Sequence, residues 1–372
     1  MKTSAILKKS IKNYLPLLFV VRYISGAFVL FTLAFILLKF PENSADGVRN
    51  GIDLCLDVLV PTLYPFMIVT NIFINSGMVD RIPFAVRRIM NYLFRLPGEC
   101  ASVILFSMIG GLPVGARMIR KLYDKKIISM DQGQRMLYFC INPGPAFVIS
   151  TVGHCMFASK EIGLLIYISL VASSLTVGII SRFLNDDNEI IQINNVDAYN
   201  KNVLQSSVSE ASKSIISVCS WVIAFSCITE IIEKLCVSDT TKVFLQCIIE
   251  MTNGCRVSAE HFSVPVIAGV IGFSGLCAHF QIMDSIVAVK LRYKYFLAGR
   301  ILNGSIAILY CSFLVKWFPI ADETFSAGIR PSERGMSASF MVSMLMILMA
   351  VLFIIGDDYS IKRCKEINLK IK

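Results

Sequence analysis

GGLPVGARMIRKLYDKK (residues 110–126), followed by RMLYFCINPGPAFVISTVG (residues 135–153), sets glycines, prolines, a lone Asn and a cluster of basic residues directly against long apolar runs. In a soluble core this would be ordinary loop chemistry. Within hydrocarbon, a backbone N–H or C=O without a partner costs several kcal/mol, so a helix breaks there only where it is buried in protein or lines a watery cavity. Broken apolar helices are how transporters build binding sites near the bilayer midplane.

The composition places the stretch in a membrane. Of 372 residues, 55% are hydrophobic and only 17% charged, and the mean hydropathy is +0.66. The fold class expected is an all-α polytopic membrane protein. A net charge of +10 could suggest nucleic acid, but the basic residues sit in short clusters beside apolar segments: Lys8, Lys9 and Lys12; Arg117, Arg120, Lys121, Lys125 and Lys126; Lys362, Arg363 and Lys365. That is the pattern of cytoplasmic flanks, and no nucleic-acid partner is expected. Twelve cysteines do not form a disulfide framework. Cys55, Cys140, Cys219, Cys227, Cys247, Cys277 and Cys311 lie inside apolar runs with no C-x-x-C and behave as small apolar residues. No metal site is expected. Residues 23–38 are long for a signal-peptide core and lack a small-residue cleavage site, so they read as part of a first anchored span.

A spanning helix needs about 20 mostly apolar residues. The clearest windows are 17–38, 58–74, 162–183, 215–232, 295–317 and 338–355. Arg22 falls near the start of the first, where it can snorkel. Shorter apolar pieces at 101–112, 137–152, 243–251 and 264–280 are too broken to be simple spans. Residues 80–96, with Arg81, Arg88 and Arg95 in one stripe, read as an amphipathic helix in the interface. The polar stretch 185–207 reads as a linker. Five regions follow: an anchor helix and loop at 1–50, a first half at 51–184, the linker at 185–207, a second half at 208–317, and a C-terminal span with a basic tail at 318–372. Each half runs from a span through two Gly/Pro-broken or re-entrant pieces and a basic turn, at Lys290, Arg292 and Lys294 in the second, to a closing span. Two inverted-repeat-like halves of this kind point to a transporter site.

The candidate binding residues lie at the breaks. Gly110 and Gly111 permit unusual backbone conformations and Pro113 stops a helix, so the chain can turn inside the protein and present free N–H groups to an anion; Gly115 follows, and Arg117 stands just past the turn. Ser129 with Gln132 resembles a capping box, starting a helix expected to run towards Asn142 and stop at Pro143, Gly144 and Pro145. The amide of Asn142 can both donate and accept. In the second half Glu250, Asn253 and Gly254 close one apolar piece, and Ser274, Gly275, His279 and Gln281 lie in the next. A single His in such a segment is more often a packing residue than a ligand. No G-x-S-x-G, H-E-x-x-H or P-loop lysine motif is present, so no enzyme activity is expected.

On GLPVGAR (111–117), FCINPGPAFVISTVG (139–153), EMTNGC (250–255), FSGLCAHFQ (273–281) and RYKYFLAGR (292–300), the chain resembles the sporulation integral membrane protein family with a nucleoside-recognition (Gate) domain, related to concentrative nucleoside transporters. Leu112 and Arg117 stand where such proteins commonly have an aromatic and a lysine, which bears on the ligand more than on the fold. The resemblance implies a multi-pass bacterial cell-membrane protein, in the mother-cell-derived membrane around the forespore, that moves dipicolinate towards the developing spore. The rivals are a nucleoside or nucleobase carrier coupled to Na⁺ or H⁺, and a non-transporting scaffold of a sporulation complex. The partners expected are the lipid bilayer and a small-molecule anion or nucleoside, with no cofactor; a homo-oligomer is left open.

Overall fold

The computed structural model describes residues 34–77, 83–183, 202–235, 239–258, 261–286 and 291–318, with a few positions between 27 and 32. The expected span 338–355, most of 17–38, the flanks Lys8, Lys9, Lys12, Lys362, Arg363 and Lys365, Arg22, Arg81, Lys290 and most of 185–207 lie outside the described residues. All regular structure among the described residues is helical. Five helical runs there are long and apolar enough to cross a membrane: α1 (Pro41–Asn75), α7 (Lys160–Ser181), α8 (Val203–Leu235), the run Val264–Ser285, and α13 (Tyr293–Trp317).

Helix α1 begins earlier than its apolar pattern suggests. Residues 41–50 are polar and read as loop, yet they are helical from Pro41, whose fixed φ and missing N–H suit a first helical turn. Packing explains the difference. A methyl group on Gly47 would sit 2.7 Å from the Cys227 Cα, and one on Gly51 2.8 Å from the Ile223 Cα, so α1 and α8 meet backbone to backbone through these glycines. The linker is also shorter than expected at its far end, because α8 already starts at Val203. Between α1 and the first broken piece, α2 (Phe84–Phe94) buries Met90 and Phe94 and exposes Phe84, Ile89 and Tyr92. That distribution suits a helix lying against lipid headgroups.

The broken pieces take two distinct forms. In the first, α3 (Cys100–Gly110) and α4 (Leu112–Asp124) fold back on each other about Gly111. A methyl on Gly115 would lie 2.9 Å from the Ser107 Cβ, which shows how closely the limbs of this hairpin approach. The second hairpin pairs α9 (Asp239–Ile249) with α10 (Met251–Ser258) about Glu250, and there a methyl on Gly254 would lie 2.6 Å from the Cys247 Cα.

In the other form a helix stops and resumes without folding back. Helix α5 (Met130–Phe139) starts at the expected capping box, in which Ser129 Oγ accepts from the Gln132 N–H at 3.1 Å and Gln132 Oε1 from the Ser129 N–H at 3.0 Å. It ends at Cys140, and the chain resumes as α6 (Ala146–Met156), wound more widely with a π-type repeat. Both pieces lie along α7. Helices α11 (Val264–Phe273) and α12 (Gly275–Ser285) are likewise separated by Ser274 alone, at φ +74. Hairpin, broken pair and long helix thus occur twice in succession, and the long members α7 and α13 pack against each other at the centre.

Candidate functional site

Each hairpin tip sits on the break of the broken pair that follows it. Gly111 has φ +84 and ψ 179, a conformation essentially confined to glycine. A methyl there would meet Leu63 at 3.2 Å and the Gly144 nitrogen at 3.5 Å, and one on Gly144 would meet the Ile109 carbonyl at 3.1 Å. At the second tip, a methyl on Gly275 would lie 3.0 Å from the Met251 nitrogen and 3.4 Å from the Ile249 carbonyl. Gly110, Pro113 and Pro143 complete the first of these junctions and are buried. Gly115, one turn further along α4, presses on the carbonyl of Cys140. The two clusters of expected residues are therefore each brought together, one around Gly111 and Gly144, the other around Glu250 and Gly275.

The side chains at these breaks are committed to the protein itself. Asn142 is buried; its Nδ2 donates to the Phe139 carbonyl at 2.9 Å and its Oδ1 accepts from Ser174 Oγ at 2.5 Å. Ser174 in turn accepts from Asn303 Nδ2 at 3.2 Å, and Asn303 Oδ1 accepts from Ser173 Oγ at 2.5 Å, so a fully buried polar ladder joins the first break to both central helices. Glu250 is 3% exposed. One of its oxygens accepts from the Thr252 N–H at 2.9 Å and the other from the Asn253 N–H at 2.7 Å. It thus caps α10, putting its negative charge where the helix dipole favours one. The side chain of the neighbouring Asn253 is half-buried. His279 is packed among Phe273, Tyr293 and Phe296. Its Nε2 lies 2.9 Å from the Phe273 carbonyl, and a carbonyl only accepts, so Nε2 carries the proton; Nδ1 then faces the Tyr293 hydroxyl at 3.4 Å. Gln281 donates to Cys277 Sγ at 3.3 Å.

Arg300 lies in RYKYFLAGR (292–300) and is not among the expected site residues. It is the group that ties the two breaks together. It is 0% exposed, and its Nη1 donates to the Ile141 carbonyl at 2.7 Å while Nη2 donates to the Gly272 carbonyl and, at 2.6 Å, to Ser274 Oγ. No carboxylate among the described residues pairs with it. Burying an isolated ion in a medium of low dielectric costs on the order of tens of kcal/mol, so such a charge persists only when its surroundings answer it. A basic residue and an Asn inside the window 295–317 were the available signal, since ionisable groups within a span mark sites by default.

Arg117 points elsewhere, along α4 towards α8. Its Nε donates to the Pro113 carbonyl at 3.1 Å and its Nη1 to Ser214 Oγ, whereas Nη2 is buried without a hydrogen-bond partner. The other cations of α4 are matched: Lys121 meets Glu210 at 2.6 Å and Asn75 at 2.9 Å, and Arg120 meets Asp124 at 3.5 Å.

Comparisons with known proteins agree with this architecture. Residues 56–186, from the middle of α1 through α7, match the family model described as Gate, nucleoside recognition. Over 339 residues the chain is 22% identical to the sporulation integral membrane protein YlbJ of Bacillus subtilis (strain 168), covering 79% of this chain and 82% of that protein. No solved structure matches. With its helical membrane-spanning fold, the chain thus matches the Gate family model over 56–186 and is similar over most of its length to a sporulation integral membrane protein.

Proposed function

We propose that this protein is a membrane transporter of a small organic anion, dipicolinate being the candidate, carried towards the forespore during sporulation. The observation that carries the anionic reading is Arg117, whose second guanidinium nitrogen is buried and unanswered where α4 faces α8. A carboxylate oxygen is its natural acceptor, and charge-assisted, bidentate pairs of this kind are the strong ones. A nucleoside carrier would use Glu250 and Asn253 to hold hydroxyl or ring groups, but both oxygens of that carboxylate already serve backbone donors.

Uptake of dipicolinate and uridine into proteoliposomes tests the assignment. A hydrogen bond to a charged group is worth about 1.5–3 kcal/mol, so Arg117→Gln should lower dipicolinate uptake about ten-fold or more. Arg117→Lys should retain part of it, because charge survives but fork geometry does not. Uridine uptake that falls with Glu250→Gln and ignores Arg117→Gln would establish the nucleoside carrier instead. No uptake of either solute by the well-folded protein would leave a scaffold.

In the same reading the repeated succession of hairpin, broken pair and long helix forms two halves, 51–184 and 208–317, in inverted orientation, with the segment between them as a tolerant linker. Single cysteines placed at Lys125 and Arg292, on the basic turns of the two halves, should be labelled by membrane-impermeant thiol reagents from the same side, where positive flanks belong. Labelling from opposite sides would remove this topology.

A further inference from the structure

A helix that breaks inside a membrane frees carbonyl oxygens, and those must find donors or a cation. Here they have found donors, one by one. At the first break the Phe139 carbonyl accepts from Asn142 at 2.9 Å and the Ile141 carbonyl from Arg300 at 2.7 Å. At the second, the Ile271 carbonyl accepts from Ser274 Oγ at 3.1 Å, the Gly272 carbonyl from Arg300, and the Phe273 carbonyl from His279 at 2.9 Å. Arg300 alone reaches both breaks. Its ligands are two carbonyl oxygens and one hydroxyl from two separate chain interruptions, the donor set a hard monovalent cation takes.

The charge balance follows the same logic. Each helix contributes about half a negative charge at its carboxyl end. The ends of α5 and α11 converge on Nη1 and Nη2 of the guanidinium, which offsets its positive charge without a carboxylate, while its Nε is buried without a hydrogen-bond partner. His279, beside the second break, donates through Nε2 to the Phe273 carbonyl and adds no anion.

We propose that Arg300 is a built-in cation that stands in for a metal ion at the junction of the two broken helices, so that this junction needs no sodium, and that removing the guanidinium turns it into a site for small monovalent cations. This concerns the folded state and does not rest on the identity of any transported solute. Thermal unfolding of the full chain in detergent provides the test, in choline chloride, in sodium chloride at equal ionic strength, and with added methylguanidinium. The wild-type Tm should be the same in sodium and choline. Arg300→Ala should melt lower and recover by about 5 °C or more, dose-dependently, with millimolar methylguanidinium, and to a smaller extent with sodium. Arg300→Met, which fills the space with an apolar chain, should melt low and respond to neither. Arg300→Lys should melt between Arg300→Met and wild type, since one charge remains but cannot reach both breaks.

A sodium-dependent wild-type Tm would overturn the proposal, because a metal ion would then be held as well. So would an Arg300→Met protein as stable as wild type, or a folded Arg300→Ala protein indifferent to both cations. Should Arg300→Ala not accumulate, the wild-type salt comparison and the order of the Lys and Met variants still decide.

Discussion

A single methyl group added at Gly115 should prevent the first hairpin from docking. The Cβ of Gly115→Ala would run into the Cys140 carbonyl oxygen and lie 2.9 Å from the Ser107 Cβ. Neither obstacle can swing away: Cys140 is fixed as the C-cap of α5, its N–H bonded to the Met136 carbonyl at 2.7 Å, and the Ser107 hydroxyl is tied to the Ile104 carbonyl at 2.8 Å. Overpacking costs typically about 1–3 kcal/mol, and a backbone obstacle puts this change at about 3 kcal/mol or above. The control is Gly110→Ala, whose Cβ has the side chain of Val114 at 2.8–3.1 Å as its nearest neighbour and no backbone oxygen in its way, so it should cost less. Folded yield by fluorescence-detected size exclusion and the melting temperature in detergent should separate the two variants. Equal values would mean that α4 can slide along α5, and the docking geometry would be wrong.

The second large effect is expected at Asn142. Its loss at the first break should abolish uptake, but Asn142 is buried with both ends of its amide bonded within the protein. The ladder through Ser174 to Asn303 adds a cost in stability. Asn142→Ala strips a donor from the Phe139 carbonyl and an acceptor from Ser174, both deep in the protein. Leaving a buried polar group unpaired costs about 1–3 kcal/mol, so the variant should lose about 3 kcal/mol in addition to its activity. Asn303→Ala interrupts the same ladder from the other helix. The double variant should therefore lose less than the sum of the two, with a coupling of about 0.5–3 kcal/mol. Strict additivity of the two changes in chemical or thermal unfolding would show that the ladder does not act as a unit.

Much of this architecture is written in the local sequence. Apolar run lengths locate the long helices, and Gly110, Gly111, Pro143, Gly144, Ser274 and Gly275 mark where helices are interrupted. The capping box at Ser129 and Gln132 starts α5 as its residues suggest. Three things escape such a reading, each for a physical reason. Residues 41–50 are too polar to declare a helix, and only the glycine-lined crossing with α8 makes one worthwhile. Glu250 looks like a carboxylate in search of a ligand because the two N–H groups it caps are visible only once α10 turns back on α9. Arg300 is separated from Ile141 by 159 residues; no local pattern announces that pairing.

The five answered carbonyls also determine how such a molecule can move. An interrupted helix with dangling acceptors could rewind and refray with each cycle, storing work in the backbone. Here rewinding would first have to strip Asn142, Arg300, Ser274 and His279 from their acceptors. The two interrupted helices therefore act as bent rods with welded elbows. Displacement must be absorbed by sliding where backbones touch through glycine, at Gly47 and Gly51 against α8 and at Gly153 against Gly163, surfaces smooth enough to act as bearings.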